Sequence, residues 1–318
     1  MRVRGLLRAR FAVGVLLGVV SAATAALPPA LTDQTDTLES HLGPAFYGEV
    51  RGGFRVSSAG SAIYEIPIAV PPGTAGITPS LSLLYNSNLE NGLVGLGWFL
   101  RGTTSKVTRC GKTFVQDGTV HRVNYTTTDR FCLDGQRLVL ASGTYGGNGA
   151  EYRKEIDDFS RIRSYGTAGT GPAYFVEETK DGRIHTYGNT ADARIEAQGR
   201  SEAAHWLLDR VEDRFGNYYT LSYYENTATG TYYPTRIDYT GHTGQSLAPY
   251  ASVQFTYENR ADDPIAYQSG ALSHPHPKRL SHIKTYVGAT LVRDTTLSYA
   301  EVGPAHQSRL TRVDSCDA

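Results

Sequence analysis

Short runs of alternating polar and apolar residues, broken by turn dipeptides, dominate this chain. Asn91-Gly92, Asp117-Gly118, Asp134-Gly135 and Asp181-Gly182 are pairs in which Asn, Asp and Gly tolerate the positive φ of tight hairpin turns. Residues 113–116 face 119–123 across the second pair, and 174–179 face 183–187 across the last. Later runs are aromatic: 218–224, 253–257 and 296–299. Tyrosine on one face of a strand buries its ring and keeps its hydroxyl near polar groups. One segment is ambiguous. Ala204, Leu207, Leu208 and Val211 show helical spacing, but Phe215-Gly216-Asn217 and an aromatic run follow at once, which favours strand. A short helix between 191 and 210 stays open. The pattern predicts an all-β fold with little helix: an extended antiparallel sheet of successive hairpins, forming a partial shell or barrel-like wall. A weak repeat supports sheet growth by hairpins. Leu208-Asp209-Arg210-Val211 is echoed by Leu280-Ser281-His282-Ile283 and Leu310-Thr311-Arg312-Val313.

The first residues follow a different grammar. Arg2, Arg4, Arg8 and Arg10 precede an uncharged, mostly apolar run at 11–20, and Ala23-Thr24-Ala25 has the small-x-small form of a cleavage site. Residues 1–25 therefore read as a secretory signal peptide cleaved after Ala25, with an uncleaved anchor as the alternative. The apolar run is short for a membrane span, and no later segment approaches that length, so no membrane span is expected after cleavage. Residues 26–46 read as a flexible leader and 47–318 as the folded unit. An export signal places the chain outside the cell. Composition agrees with a globular β protein: 40% hydrophobic, 34 Gly and 21 Tyr in 318 residues. Lys plus Arg and Asp plus Glu are both 31. That balance argues against nucleic acid as a partner, since a binder carries a basic face.

Three cysteines suit an oxidising compartment. Cys110 and Cys132 flank a short, turn-rich stretch and form the candidate disulfide, with two buried free thiols as the alternative. Cys316 is left over. Their spacing matches no zinc pattern, and no metal or cofactor site is expected. His274-Pro275-His276-Pro277 reads as a solvated loop, and Asp157-Asp158 and Asp262-Asp263 read as turns because neither has calcium-loop spacing. There is no Gly-x-Ser-x-Gly elbow, and no catalytic residue is predicted.

Residues 53–98 carry the densest motifs. They run Gly53-Phe54-Arg55-Val56, Tyr64-Glu65-Ile66-Pro67-Ile68, Pro71-Pro72-Gly73, Gly76-Ile77-Thr78-Pro79-Ser80-Leu81-Ser82-Leu83-Leu84-Tyr85-Asn86 and Asn91-Gly92-Leu93-Val94-Gly95-Leu96-Gly97-Trp98. Alternation of Leu81, Leu83 and Tyr85 predicts one buried face. Pro67 predicts an edge or a break, and Gly95 and Gly97 predict close backbone approach beside Trp98. This stretch resembles the amino-terminal domain of the Salmonella virulence plasmid B (SpvB) family, which also opens B subunits of insecticidal toxin complexes and many exported Rhs/YD-repeat proteins. Thr128-Asp129-Arg130-Phe131-Cys132-Leu133-Asp134-Gly135 is a second match. The resemblance covers roughly residues 47 to 316.

The resemblance implies an exported, non-enzymatic structural module of a toxin-complex or Rhs-type virulence protein. It would contribute to a β-shell that encases or delivers a toxin. Its partner would be an Rhs/YD-repeat or toxin-complex subunit encoded nearby. Family members usually continue past position 318, so the resemblance implies truncation at the carboxy end. The family's ADP-ribosylating domain needs a Glu-x-Glu pair. None occurs here, and the adjacent Glu177-Glu178 fall on opposite faces of a strand. Two other readings are a cell-surface interaction or adhesion module, with exposed Tyr and Arg as contact face, and an enzyme such as a glycoside hydrolase, for which no acid pair is singled out.

Overall fold

The computed structural model describes residues 50–262, 265–268, 271–273 and 276–317. The signal peptide with its cleavage after Ala25, the leader at 26–46, Asp263, His274 and Pro275 lie outside the described residues. The chain opens with a small antiparallel sheet. β1 (Gly53–Val56), β2 (Ala62–Ile68) and β3 (Leu81–Asn86) are neighbours in that order. A two-rung hairpin, β4 (Asn91–Gly92) with β5 (Gly95–Leu96), leads into β6 (Trp98–Arg101), which pairs with β3. Pro67 lies beyond the last β1–β2 rung, at Gly53 and Glu65. Registered opposite Ser82 on β3 only, it sits where β2 has become an edge, as the sequence predicts. Leu81, Ser82, Leu83 and Leu84 are all buried, so β3 is covered on both faces and not on one.

The second unit is a closed eight-stranded barrel. β7 (Lys106–Cys110), β8 (Arg130–Leu133), β9 (Gln136–Ser142), β10 (Glu151–Lys154), β11 (Arg161–Tyr165), β12 (Tyr174–Glu178) and β13 (Arg183–Tyr187) form an antiparallel meander. A 3-10 turn at Ala191–Ala193 and β14 (Arg194–Glu196) follow, then β15 (Ala203–Asp213). β15 closes the ring. Its first half pairs with β7 through His205, Trp206 and Leu207, and its second half pairs with β13 from Leu208 to Asp213. Closure leaves no free edge among these eight strands. Side chains fill the interior. Phe131, Tyr152, Phe175 and Trp206 are fully or nearly buried, and their rings meet edge-on or tilted at centroid distances of 5.1–6.3 Å.

β15 also starts an open sheet, because β16 (Asn217–Asn226) pairs with its second half on the side away from β13. β17 (Thr231–His242) and β18 (Ala251–Asn259) follow. A small pair, β19 (Ala266–Gln268) with β20 (Ala271–Ser273), intervenes before β21 (Lys278–Val287), β22 (Thr290–Val302) and β23 (Gln307–Asp317). The order β15-β16-β17-β18-β21-β22-β23 is a chain of hairpins. Among the described residues β23 has a ladder on one side only. The segment left open between helix and strand is thus a 3-10 turn followed by the strand that joins barrel and sheet.

Two predicted turns are confirmed and two are corrected. Asp134 and Gly135 both have positive φ (49° and 80°) and form the two-residue β8–β9 turn. Gly182 (φ 81°) closes the β12–β13 hairpin. Asn91-Gly92 is instead a strand, and Leu93-Val94 makes the turn. Residues 114–117 form a single helical turn, α1 (Phe114–Asp117), capped by Gly118 in the left-handed region. Asp117 is ion-paired with Arg130 and Arg137 on the outer wall of the barrel, which fixes the end of this turn.

Candidate functional site

Each end of the barrel is closed by a buried polar cluster. At the end where β15 begins, the Arg109 and Asp129 side chains are 1% and 2% exposed and lie 3.1 Å apart. Arg109 Nε donates to Ala203 O (2.7 Å), and its remaining nitrogens donate to Thr126 O and Thr170 Oγ1. Its guanidinium also sits over the Tyr125, Phe131 and Trp206 rings. One cation thus ties β7 to β15 and to two loops. A buried charge with this many partners is compensated, and the loss of any of them is costly.

At the other end, Glu177 lies on the inner face of β12 and accepts from Tyr187 OH (3.0 Å). It is ion-paired with Lys154 (2.7 Å) and touches His185 Nδ1 (3.2 Å). Tyr187 OH is also within 3.2 Å of Ser105 Oγ, which donates to Asp134. Burial pushes the Glu177 carboxyl up, but His185 and Lys154 overcome it and hold it at about 2. Because the folded pKa is depressed, Glu177 contributes stability above its unfolded value that is lost as pH falls through about 2. Glu178 faces outward and pairs with Arg161, so the two acids diverge as alternation requires.

Asp209 behaves oppositely. It is buried on β15 and accepts from the Asn189 and Thr190 amides. Burial dominates and raises it to about 6. Its contribution is fully present below the unfolded value of 3.8 and is lost as pH rises through about 6. The stability advantage of Asp209→Asn over the parent is therefore expected to grow by about 2 kcal/mol between roughly pH 4 and pH 7. Urea midpoints of both proteins across that range check it. A pH-independent difference would contradict it.

A third cluster docks the first sheet on the open sheet. The Arg260 and Asp262 side chains are 0% and 4% exposed and pair at 2.8 Å. Arg260 donates to Gly92 O (2.7 Å), and Asp262 accepts from Asn91 Nδ2 (2.7 Å) and Ser308 Oγ (2.6 Å). Leu280 N donates to Leu93 O (2.7 Å). Gly95 has φ 85°, and a Cβ there would sit 2.6 Å from Ser308 O. The Asn91–Gly97 motif is thus a strap, in which Gly95 answers to close backbone approach and Gly97 to the Tyr85 ring. Asp262 lies in a bend after β18, as the sequence predicts, but it is buried and bonded to the strap. Asp158 is held down to about 2: burial opposes this, and Lys154 and Ser160 outweigh it.

Cys110 and Cys132 lie on neighbouring strands β7 and β8, with Cα atoms 6.0 Å apart and their sulfurs joined as a disulfide. Reduction is expected to cost about 3 kcal/mol in the chain-entropy model. Urea unfolding with and without reductant measures it, and an unchanged midpoint would show that the link constrains nothing. Cys316 is a free, half-buried thiol on β23. Among the described residues no group of three or more His, Cys, Asp or Glu could hold a metal ion. No helix among them is long and apolar enough to cross a membrane. A cleft of about 190 Å³ lies between the first sheet and β15–β17 and is lined by Leu93, Phe99, Leu100, Leu207 and Tyr223. Its polar members Lys106 and Tyr232 bond each other at 2.8 Å.

The structure therefore defines an all-β class: a barrel filled and latched at both ends, handing its closing strand to an open array of hairpins. The family model for the Salmonella virulence plasmid 65kDa B protein matches residues 56–272, and the chain belongs to that family. Two curated relatives, both named Mono(ADP-ribosyl)transferase SpvB, come from Salmonella choleraesuis strain SC-B67 and Salmonella enteritidis. Each is 25% identical over 197 residues, covering 54% of this chain and 32% of the relative. The chain thus spans about a third of their length. The solved N-terminal domain of effector protein SpvB from Salmonella typhimurium strain LT2 has TM-score 0.63 and 20% identity, over 80% of this chain and 98% of that one. A TcdB2-TccC3 crystal structure has TM-score 0.64 and 21% identity, over 83% and 16%. A Photorhabdus luminescens Tc holotoxin pore structure has TM-score 0.61 and 20% identity, over 81% and 15%. These likenesses establish a common fold.

Proposed function

We propose that this chain is an exported, non-enzymatic scaffold of a toxin-complex or Rhs-type assembly, where it contributes to a β-shell that encases or delivers a toxin. The observation that carries this reading is the double use of β15, which closes a filled barrel and starts an open hairpin array. A barrel latched by Arg109–Asp129 at one end and Lys154–Glu177 at the other is a rigid foundation. The array is a wall that grows one hairpin at a time. The fold shared with TcdB2-TccC3 and with the N-terminal domain of SpvB supports the same reading. The partner is an Rhs/YD-repeat or toxin-complex subunit encoded nearby.

Size-exclusion chromatography of the mature chain mixed with that subunit is expected to give a stable complex. A folded, monodisperse chain that stays separate would overturn the proposal. Incubation with labelled NAD and host-cell extract is expected to transfer no label, and label transfer abolished by unfolding this chain would contradict the non-enzymatic part.

A further inference from the structure

The open sheet repeats one joint three times. Arg210 registers opposite Thr220, Arg236 opposite Gln254, and His282 opposite Thr296. Three residues beyond each of these partners stands a tyrosine: Tyr223, Tyr257 and Tyr299. The intervening sequences are Thr220-Leu221-Ser222-Tyr223, Gln254-Phe255-Thr256-Tyr257 and Thr296-Leu297-Ser298-Tyr299. A register shift falls just before the tyrosine every time. Each tyrosine then donates its hydroxyl to a carbonyl on the preceding strand, two residues before the Arg or His: Tyr223 to Leu208 O (2.6 Å), Tyr257 to Pro234 O (2.5 Å) and Tyr299 to Leu280 O (2.6 Å). The bulge lets a long side chain reach over the strand.

A second bond interlocks the units. Thr235 Oγ1 donates to Ser222 O (3.1 Å), Ser281 Oγ to Thr256 O (3.0 Å), and Thr311 Oγ1 to Ser298 O (3.1 Å). Each donor is the residue after Pro234, Leu280 or Leu310, and those three register opposite Tyr223, Tyr257 and Tyr299. Leu310 on β23 therefore occupies the place held by Leu208, Pro234 and Leu280 in the earlier units, and Arg312 occupies the place of Arg210, Arg236 and His282. β23 has made its backward bond through Thr311. Among the described residues its outer side carries no ladder, although near its start Ser308 N–H already donates to Asp262, and β23 itself contains no tyrosine.

We propose that the outer edge of β23 is a docking site for an antiparallel strand of the pattern Thr/Gln-apolar-Ser/Thr-Tyr, with its first residue opposite Arg312 and its tyrosine hydroxyl donating to the Leu310 carbonyl. Main-chain bonds along the edge supply affinity, and the tyrosine sets the register. A second copy's β23 does not meet the requirement, because it brings no tyrosine. This inference specifies the joint of the scaffold proposed above and rests on that reading.

The test uses the full chain with a copy of residues 288–302 grafted directly after Asp317. In the native β21–β22 hairpin Val287 pairs with Thr290 and His282 with Thr296. Asp317 follows Arg312 at the same distance as Val287 follows His282, so the graft sets the copied Thr296 opposite Arg312. Amide exchange over Arg312–Asp317 is expected to slow on the outward-facing N–H groups, this being the stretch that corresponds to the paired halves of the earlier units. Replacing the copied tyrosine by phenylalanine should return about fivefold of that protection, the worth of one net hydrogen bond. No slowing in a chain with unchanged near-UV circular dichroism, or equal slowing with the pattern displaced by one residue, would overturn the joint. If the graft impairs folding, the same segment is added as a free peptide to the unmodified chain. Exchange left unchanged at saturating peptide then counts against the proposal. A protected graft together with failure to bind an Rhs/YD-repeat subunit would leave the joint standing and remove the shell reading. The reverse pair of results would do the opposite.

Discussion

Arg109→Ala is expected to lower stability by about 3–5 kcal/mol, because it leaves the Asp129 carboxylate buried without its cation. The arginine also bridges β7 to Ala203 at the head of β15 and lies over Trp206. The Trp206 near-UV signal should therefore soften before the rest of the barrel unfolds. Urea unfolding followed by near-UV circular dichroism reads both effects. A companion double variant, Arg109→Met with Asp129→Leu, should recover much of the loss, since an apolar pair removes both desolvation costs. If Arg109→Ala costs less than about 1 kcal/mol, the value of an exposed pair, the latch is not buried in solution.

Asp262→Ala should be comparably severe, at about 3–5 kcal/mol, but in a different place. Arg260 would keep its bonds to Gly92 O and Asn91 Oδ1 and lose its only carboxylate among the described residues within ion-pairing reach. Asn91 and Ser308 would each lose an acceptor. The strap at Asn91–Gly97 should then lift from β23. Hydrogen exchange at Leu280, whose amide donates to Leu93 O, is expected to speed up, while amides of the barrel strands β8–β12 should stay protected. Uniform acceleration over the whole chain would show that the first sheet and the barrel unfold as one unit and that the strap has no separate role.

These two positions also mark the limit of what the chain reveals before folding. Alternation and turn chemistry made the strands legible. Asp134-Gly135 and Asp181-Gly182 sit in turns because positive φ is needed there, and β15 is a strand because the aromatic run after Asn217 needs a hairpin partner. Closure was not legible. It depends on Leu208–Asp213 meeting β13 while Ala203-side residues meet β7, and no local pattern encodes which of two neighbours each half of a strand will take. The charges were misleading for the same reason. Asp117 and Asp262 read as turn residues by their neighbours in sequence, yet Asp117 is held by Arg130 and Arg137, and Asp262, beside its near neighbour Arg260, accepts from Asn91 and Ser308, partners that arrive only with the finished fold. The apolar-x-x-apolar repeat was visible. Its partner element, the Ser/Thr-Tyr that follows each unit, was also present in the sequence, but only the register across the sheet connects the two. The resemblance at residues 53–98 pointed to the family because those residues form the strap and the small sheet, where glycine positions and backbone contacts leave little freedom.

The central claim is that these residues build a wall that other strands extend. Hydrogen exchange of the chain, alone and mixed with the proposed Rhs/YD-repeat subunit, tests it most directly. A complex is expected in which the Arg312–Asp317 amides become protected while the barrel amides keep the protection they already had. A stable complex that leaves the β23 edge exchanging as before, or a folded chain that forms no complex at all, would contradict it.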